Sequence, residues 1–335
     1  MATDKSEWTN LSRDNCYKSP LIVWNHDQKA LYGIERKKLL KYSLDENAWT
    51  KYHDAIFEKG QTSSRSIFSY PYATVHSAGD KIFAFNRHGS ILIVNINEFK
   101  FEYINDLIRT GTGAQGIMIN NEFHVIGGYK SNQHLKWNEK NKKFEALHDL
   151  RKEINWNGIG HHCMVRIKHK ILVFGGYNNY QHKYTNNVYE YDMITNKWRL
   201  MSVELPTRGI CNMGCIAVLH EQYILLLGGD DFTHQFCDEI WIYSVRKQSF
   251  KKSSVKCPEK GPYQAFVVGD ERNDQMAVFG YVRNEWCASK MADHLYPPEY
   301  LIRIMAKYYL NQEIHLFGYY FGVKHWKINV FDIFT

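Results

Sequence analysis

Several things are scarce in this sequence. It has 7 prolines among 335 residues, and its apolar runs fall far short of the roughly 18 residues that a membrane-spanning helix needs. The first twenty residues are polar and charged, so a secretory leader is not expected. The 7 cysteines (Cys16, Cys163, Cys211, Cys215, Cys237, Cys257 and Cys287) are odd in number and scattered. That excludes a disulfide framework and points to a reducing, cytoplasmic setting. Charge is close to balance: 42 Lys and Arg against 35 Asp and Glu give +7. Such an excess aids solubility and names no polyanionic partner by itself. The sequence lacks a phosphate-binding loop, a nucleophile elbow, a zinc-protease motif and a dinucleotide fingerprint.

Aromatic residues are abundant: 23 Tyr, 18 Phe and 9 Trp, 15% of the chain. Aromatic and β-branched side chains favour strands. Three segments share one pattern: Phe123 to Tyr129, Ile171 to Tyr177 and Ile224 to Asp230. Each is a short apolar run that ends in a double glycine: Gly127–Gly128, Gly175–Gly176 or Gly228–Gly229. Four apolar residues in a row fit a strand buried on both faces. The glycines free the backbone to leave that strand at positive φ and allow close packing against it.

A second strand signal follows at His134 to Asn138, Val188 to Asp192 and Ile240 to Ser244. Six residues past each polar end stands a large aromatic, namely Phe144, Trp198 or Phe250, with turn formers between. The same hairpin grammar recurs upstream without the double glycine, where Ser43 leads to Trp49 and Asn95 to Phe101. These anchors are 52, 43, 54 and 52 residues apart. A period near 50 with four short strands per unit suits a β-propeller blade. Opening strands are expected at 21–24, 72–75, 116–119, 162–165, 215–218 and 265–268.

On these residues the chain resembles the kelch-repeat family, whose double glycine and later Tyr and Trp occur in the same order. The resemblance covers Gly158 to Ser253 best, then Gly111 to Leu150 and Leu31 to Leu107. It implies an all-β fold: a β-propeller of four-stranded antiparallel blades. It also implies that Trp198 packs near Gly175 and Gly176, and Phe250 near Gly228 and Gly229. Six blades are expected, or seven if Met1 to Trp24 hides a partial unit. Residues 1–20 read as a polar tail and 21–335 as a single propeller.

The sixth unit carries its anchor, Trp326, 76 residues after Phe250. The surplus is read as an insert at about 283–312. In it Pro297–Pro298–Glu299 opens a helix over Tyr300 to Asn311, with Leu301, Ile304, Met305 and Tyr308 on one face.

Other residue groups have simple readings. His161, His162 and Cys163 are adjacent on a strand, point to alternate faces and cannot converge on one ion. Cys211 and Cys215 lack the second pair that zinc sites commonly use. Asp230, Asp231 and His234 read as a solvated loop. The lysine groups 136–143 and 247–256 fall on outer strands, where lysine protects sheet edges.

The function expected is non-catalytic: a protein-interaction scaffold that binds a protein or peptide through loops at the channel mouth. Arg208, Arg65, Asn157, His161 and Tyr263 lie in the loops that enter the opening strands, and Arg and Tyr anchor interfaces well. No cofactor, metal, nucleic acid or membrane is expected, and the chain is read as a monomer. The alternatives are a copper oxidase resembling galactose oxidase and a sugar-isomerising kelch enzyme. No BTB or F-box segment is recognisable.

Overall fold

The computed structural model describes residues 9–10, 21–25, 28, 30–35, 38–43, 48–54, 56–57, 74–85, 90–104, 113–129, 131–207, 209–211, 213–218, 221–231, 237–257, 275–281, 301–307, 313–319 and 323–329. These fall into two compact units, Pro20–Gly209 and Met1–Ser19 with Ile210–Thr335.

Pro20–Gly209 holds four sheets, each with four consecutive antiparallel strands. The first comprises Leu21–Asn25, Ala30–Glu35, Lys38–Ser43 and Ala48–Asp54. Thr74–Ala78, Lys81–Phe85, Ile91–Asn95 and Lys100–Ile104 form the second, and Ile56–Phe57 joins its outer edge in parallel. The third is built from Gln115–Ile119, Glu122–Ile126, Gln133–Asn138 and Lys143–Asp149. Cys163–Ile167, Lys170–Phe174, Asn187–Asp192 and Lys197–Glu204 make the fourth. The opening strands of successive sheets neighbour one another along this series.

The six-residue spacing has a local cause. Asp192 Oδ1 accepts hydrogen bonds from the backbone N–H groups of Ile194 and Thr195, at 2.9 and 3.0 Å. Asn95 Oδ1 does the same for Asn97 and Glu98, and Asn138 Oδ1 accepts from Asn141. Such side-chain-capped turns are a standard use of Asn and Asp. Each turn ends on a left-handed residue (Phe99, Lys142 or Asn196) directly before the outer strand. The anchor is then the second residue of that strand and lies opposite an aromatic or β-branched partner: Trp49 opposite Tyr42, Phe101 opposite Val94, Phe144 opposite Trp137, Trp198 opposite Tyr191. Trp137 and Phe144 rings are 5.2 Å apart, and Tyr191 and Trp198 5.1 Å.

Three anchors pack toward the preceding sheet. Phe101 is buried with Val23, Tyr32 and Ile34 of the first sheet. Phe144 lies with Phe83, Phe85 and Ile93 of the second, and Trp198 with Ile117, Ile119 and Ile126 of the third. The core is therefore a series of apolar layers between sheets, as stacked repeats require.

All six double-glycine residues have positive φ, for example +66° at Gly127 and +106° at Gly176. A Cβ on Gly127 would lie 2.6 Å from Trp156 Cζ2 and 2.7 Å from the Ile159 carbonyl oxygen. Gly127→Ala therefore combines a left-handed backbone with an overpacked contact and is expected to cost about 3 kcal/mol. A lower urea midpoint at unchanged slope would show it; no change in midpoint would contradict the packing. The aromatic against this turn is Trp156, from the connection into the fourth sheet. At Gly176 the close neighbours are Ile159, Gly160 and His162, while Trp198 pairs with Tyr191.

The second unit holds two further sheets of this kind. One is Gly214–Val218, Tyr223–Leu227, Glu239–Ser244 and Ser249–Lys256, with Phe250 again second in its strand and opposite Tyr243. The other is Gln275–Tyr281, Leu301–Lys307, Glu313–Tyr319 and Val323–Asn329. Here the expected helix over Tyr300 to Asn311 is corrected. Leu301–Lys307 is a strand, paired antiparallel to Gln275–Tyr281 on one side and Glu313–Tyr319 on the other. Leu-Ile-Arg-Ile-Met-Ala-Lys has a period-two reading as well as a helical one, and its β-branched residues favour the strand. Gln275–Tyr281 accordingly opens the sheet, and the expected opener at 265–268 lies outside the described residues. Thr9–Asn10 also departs from the tail reading, since it pairs with Trp326 and Lys327.

Candidate functional site

The connections at the double-glycine end of the third and fourth sheets meet in a small three-stranded ribbon. Ile159–Gly160 pairs with Tyr177–Asn178, which pairs with Lys183–Tyr184. Glycine makes this possible twice. Gly158 turns at φ +60° ahead of Ile159, and the Gly128 N–H donates to the Ile159 carbonyl at 2.9 Å. The ribbon places half-exposed tyrosines in file. Tyr177 lies edge-on to Tyr184 at 5.2 Å, and Tyr129 lies 5.7 Å from Tyr177. His161 packs edge-on against Tyr129 at 5.0 Å.

The loop beyond is shaped by Asn178. Its buried Oδ1 accepts from the N–H groups of Tyr180 and Gln181, and its Nδ2 donates to Gln181 Oε1. Tyr180 is thereby held 53% exposed. The segments 155–162 and 175–187 contain no Asp or Glu, but three tyrosines, three histidines, Lys183 and several amides. The surface they present is aromatic, hydrogen-bonding and free of carboxylates. This is the composition that supplies interface anchors at low entropic cost.

Of the five expected contact residues, the structure describes two. Asn157 is half-buried and its side chain bonds Asn155 at 3.3 Å. His161 is 6% exposed, at φ +56°, and its N–H donates to the Gly113 carbonyl. It supports the tyrosine file from beneath more than it meets solvent. Arg65, Arg208 and Tyr263 lie outside the described residues. Arg208 does share a register with Asn157: Arg208–Gly209–Ile210 parallels Asn157–Gly158–Ile159, and Ile210–Cys211 pairs with Asp230–Asp231 as Ile159–Gly160 pairs with Tyr177–Asn178. The tyrosine file itself escaped the sequence reading. Its signal was Gly-Gly-Tyr, repeated at 127–129 and 175–177.

The remaining groups resolve as follows. Cys163, Cys215 and Cys257 are buried. Lys136 pairs with Glu122, Lys142 with Glu102 and Glu139, Lys252 with Glu239 and Lys256 with Asp238. These four lysines are thus paired locally with acids on neighbouring strands and turns. Among the described residues no helix is long and apolar enough to cross a membrane.

The repeat of four-stranded sheets, the left-handed double glycines and the inter-sheet aromatic layers fit one architecture. The family description Attractin/LZTR1 β-propeller matches residues 116–304, more than half of the chain. The chain belongs to the Attractin/LZTR1 β-propeller family. The kelch-like character read from the sequence is therefore supported at the level of the propeller family. No curated protein matches the chain significantly. The matched span starts in the opening strand of the third sheet and contains Tyr129, His161, Tyr177 and Tyr184.

Proposed function

We propose that this chain is a non-catalytic, kelch-type interaction scaffold of six blades that binds a protein partner through the double-glycine face. β-Propellers of this family commonly mediate protein interactions. The single observation carrying the site assignment is the half-exposed file of Tyr129, Tyr177 and Tyr184, held rigidly by the ribbon and lacking carboxylates. Asn157 and His161 lie beside this file, and Arg208, Arg65 and Tyr263 are proposed as further contacts because they precede opening strands in the repeat register of the sequence. Rigid aromatics held on β structure make good anchors because little freedom is lost on binding. An odd number of scattered cysteines accords with a cytoplasmic setting.

Affinity purification with mass spectrometry tests this reading. Tyr177→Ala with Tyr184→Ala is expected to weaken recovered partners by tenfold or more, since anchor truncations typically cost about 2 kcal/mol. Arg208→Ala is expected to weaken the same partners less. Unchanged recovery of every partner by the double variant would reject the face. Stoichiometric copper in the purified protein would instead favour the oxidase alternative.

A further inference from the structure

We propose that a hydrogen-bond relay through Trp198, His134 and His124 is an acid-sensitive latch between the third and fourth sheets, closed while both imidazoles are neutral. The geometry fixes every hydrogen in it. Trp198 Nε1 lies 3.3 Å from His134 Nδ1. An indole N–H only donates, so His134 Nδ1 must accept. The His134 proton is then on Nε2, which lies 2.9 Å from His124 Nδ1. His124 Nδ1 accepts in turn, and its proton is on Nε2, 3.9 Å from Glu122 Oε2. Trp198 belongs to the fourth sheet and both histidines to the third.

A second proton has no place in this arrangement. On His134 it would go to Nδ1 and set two donors face to face at Trp198. On His124 it would go to Nδ1 and do the same at His134. Each event breaks a bond within the relay, and the first breaks the bond that joins the sheets. His124 and His134 are 4% and 0% exposed, so no solvent replaces what is lost.

The surrounding charges set the direction. Burial is the largest influence holding His134 well below the ordinary imidazole range, and His124 and His148 add to it. Burial lowers His124 to about 4; Glu122 opposes this, and Lys136 and His148 reinforce it. Glu122 is itself paired with Lys136 at 2.5 Å. His148 stacks on His134 at 5.4 Å and is held between Glu153 Oε1 and Asn196 Oδ1. Tyr191, with Asp192 and Glu153 nearby, closes the remaining side. Closed, the latch excludes protons; opened, its histidines return to ordinary values near 6.5. Acid therefore favours opening. Trp198 also packs 6.4 Å from Trp156, which meets His162 beside the double-glycine face.

Two measurements on the intact chain test the latch. Nitrogen NMR of histidine- and tryptophan-labelled protein at pH 7.5 is expected to show His134 and His124 both protonated on Nε2 alone. A hydrogen on Nδ1 of either would overturn the relay. Hydrogen exchange of the Trp198 indole N–H, corrected for intrinsic rate, is expected to speed up about thirtyfold between pH 7.5 and 5 for each histidine that titrates. Amides of Leu92 and Val94 in the second sheet, beside the single lowered imidazole of His76, should show one such step where the relay shows two. His124→Gln removes one titrating group, so its acid response should be shallower by about one proton. An equal acid response at Trp198 and in the second sheet, or in wild type and His124→Gln, would overturn the proposal.

Discussion

Lowering the pH from 7.5 to 5 is expected to remove about 6 kcal/mol of unfolding free energy through three buried histidines alone. Burial holds His76 and His124 near pKa 4 and His162 near 3; the Gly116 backbone opposes it at His76, while at His162 the His161 charge adds to it and the Ile159 carbonyl opposes it. The unfolded chain returns each to about 6.5. Because the folded values are depressed, the unfolded state binds more protons wherever the pH lies below about 6.5. Stability is full above that point and falls progressively as the pH drops toward about 4. At pH 5 an imidazole with a folded value near 4 contributes a loss of about 2 kcal/mol. The charged groups that act on each are different: none on His76, Glu122, Lys136 and His148 on His124, and His161 on His162. Their effects should therefore add. Urea titrations at pH 7.5, 6 and 5 check this, and a midpoint that stays constant down to pH 5 would contradict it. His134 shifts in the same direction, so the measured loss should exceed the sum of the three.

How much of this was legible in the sequence depends on the range of the interaction. The anchors Phe101, Phe144, Trp198 and Phe250 were legible because a short turn separates each from the polar residue that caps it, and Trp49 because it keeps the same spacing. The double glycines were legible because glycine takes two successive positive φ values, the second above +100°, without strain. Leu301–Lys307 was misread because its apolar residues satisfy a helical and an alternating period at once. Pairing with Gln275–Tyr281 and Glu313–Tyr319, which no local window contains, decides between them. The expected contact residues Asn157 and His161 lie in the connection that also carries Ile159–Gly160. The tyrosine file was missed because an aromatic in a strand-rich unit reads first as a strand residue. Tyr129 and Tyr177 each follow the second glycine, where the chain has already left the strand. The His134–Trp198 bond joins residues 64 apart, and no spacing rule reaches that far.

Trp156→Ala is expected to be the most damaging single truncation in the unit Pro20–Gly209, at about 3–5 kcal/mol. Trp156 is completely buried. It lies outside every regular strand, in the connection after the short helix Leu150–Ile154. Asn155 ends that helix at φ +54°, and the Trp156 N–H donates to the Leu150 carbonyl at 3.2 Å. This turns the indole inward between the third and fourth sheets. Its ring meets Tyr189 at 4.9 Å, His162 at 5.2 Å and Trp198 at 6.4 Å, and it floors the Gly127 turn. Removing it leaves a cavity bounded by rigid backbone at Gly127 and by rings with their own cross-strand partners, so collapse into the space is restricted. Burial also leaves Trp156 Nε1 without a hydrogen-bond partner, a penalty of about 1–3 kcal/mol that the alanine variant no longer carries. The expected net cost is therefore toward the lower end, about 3 kcal/mol, and Trp156→Phe should recover most of it by keeping the ring and dropping the unpaired N–H. Tyr180→Ala, at an exposed ring, should stay within about 0.5 kcal/mol of wild type. Thermal and urea unfolding of the three variants decide the point: equal midpoints for Trp156→Ala and Tyr180→Ala would mean that Trp156 does not hold this junction together.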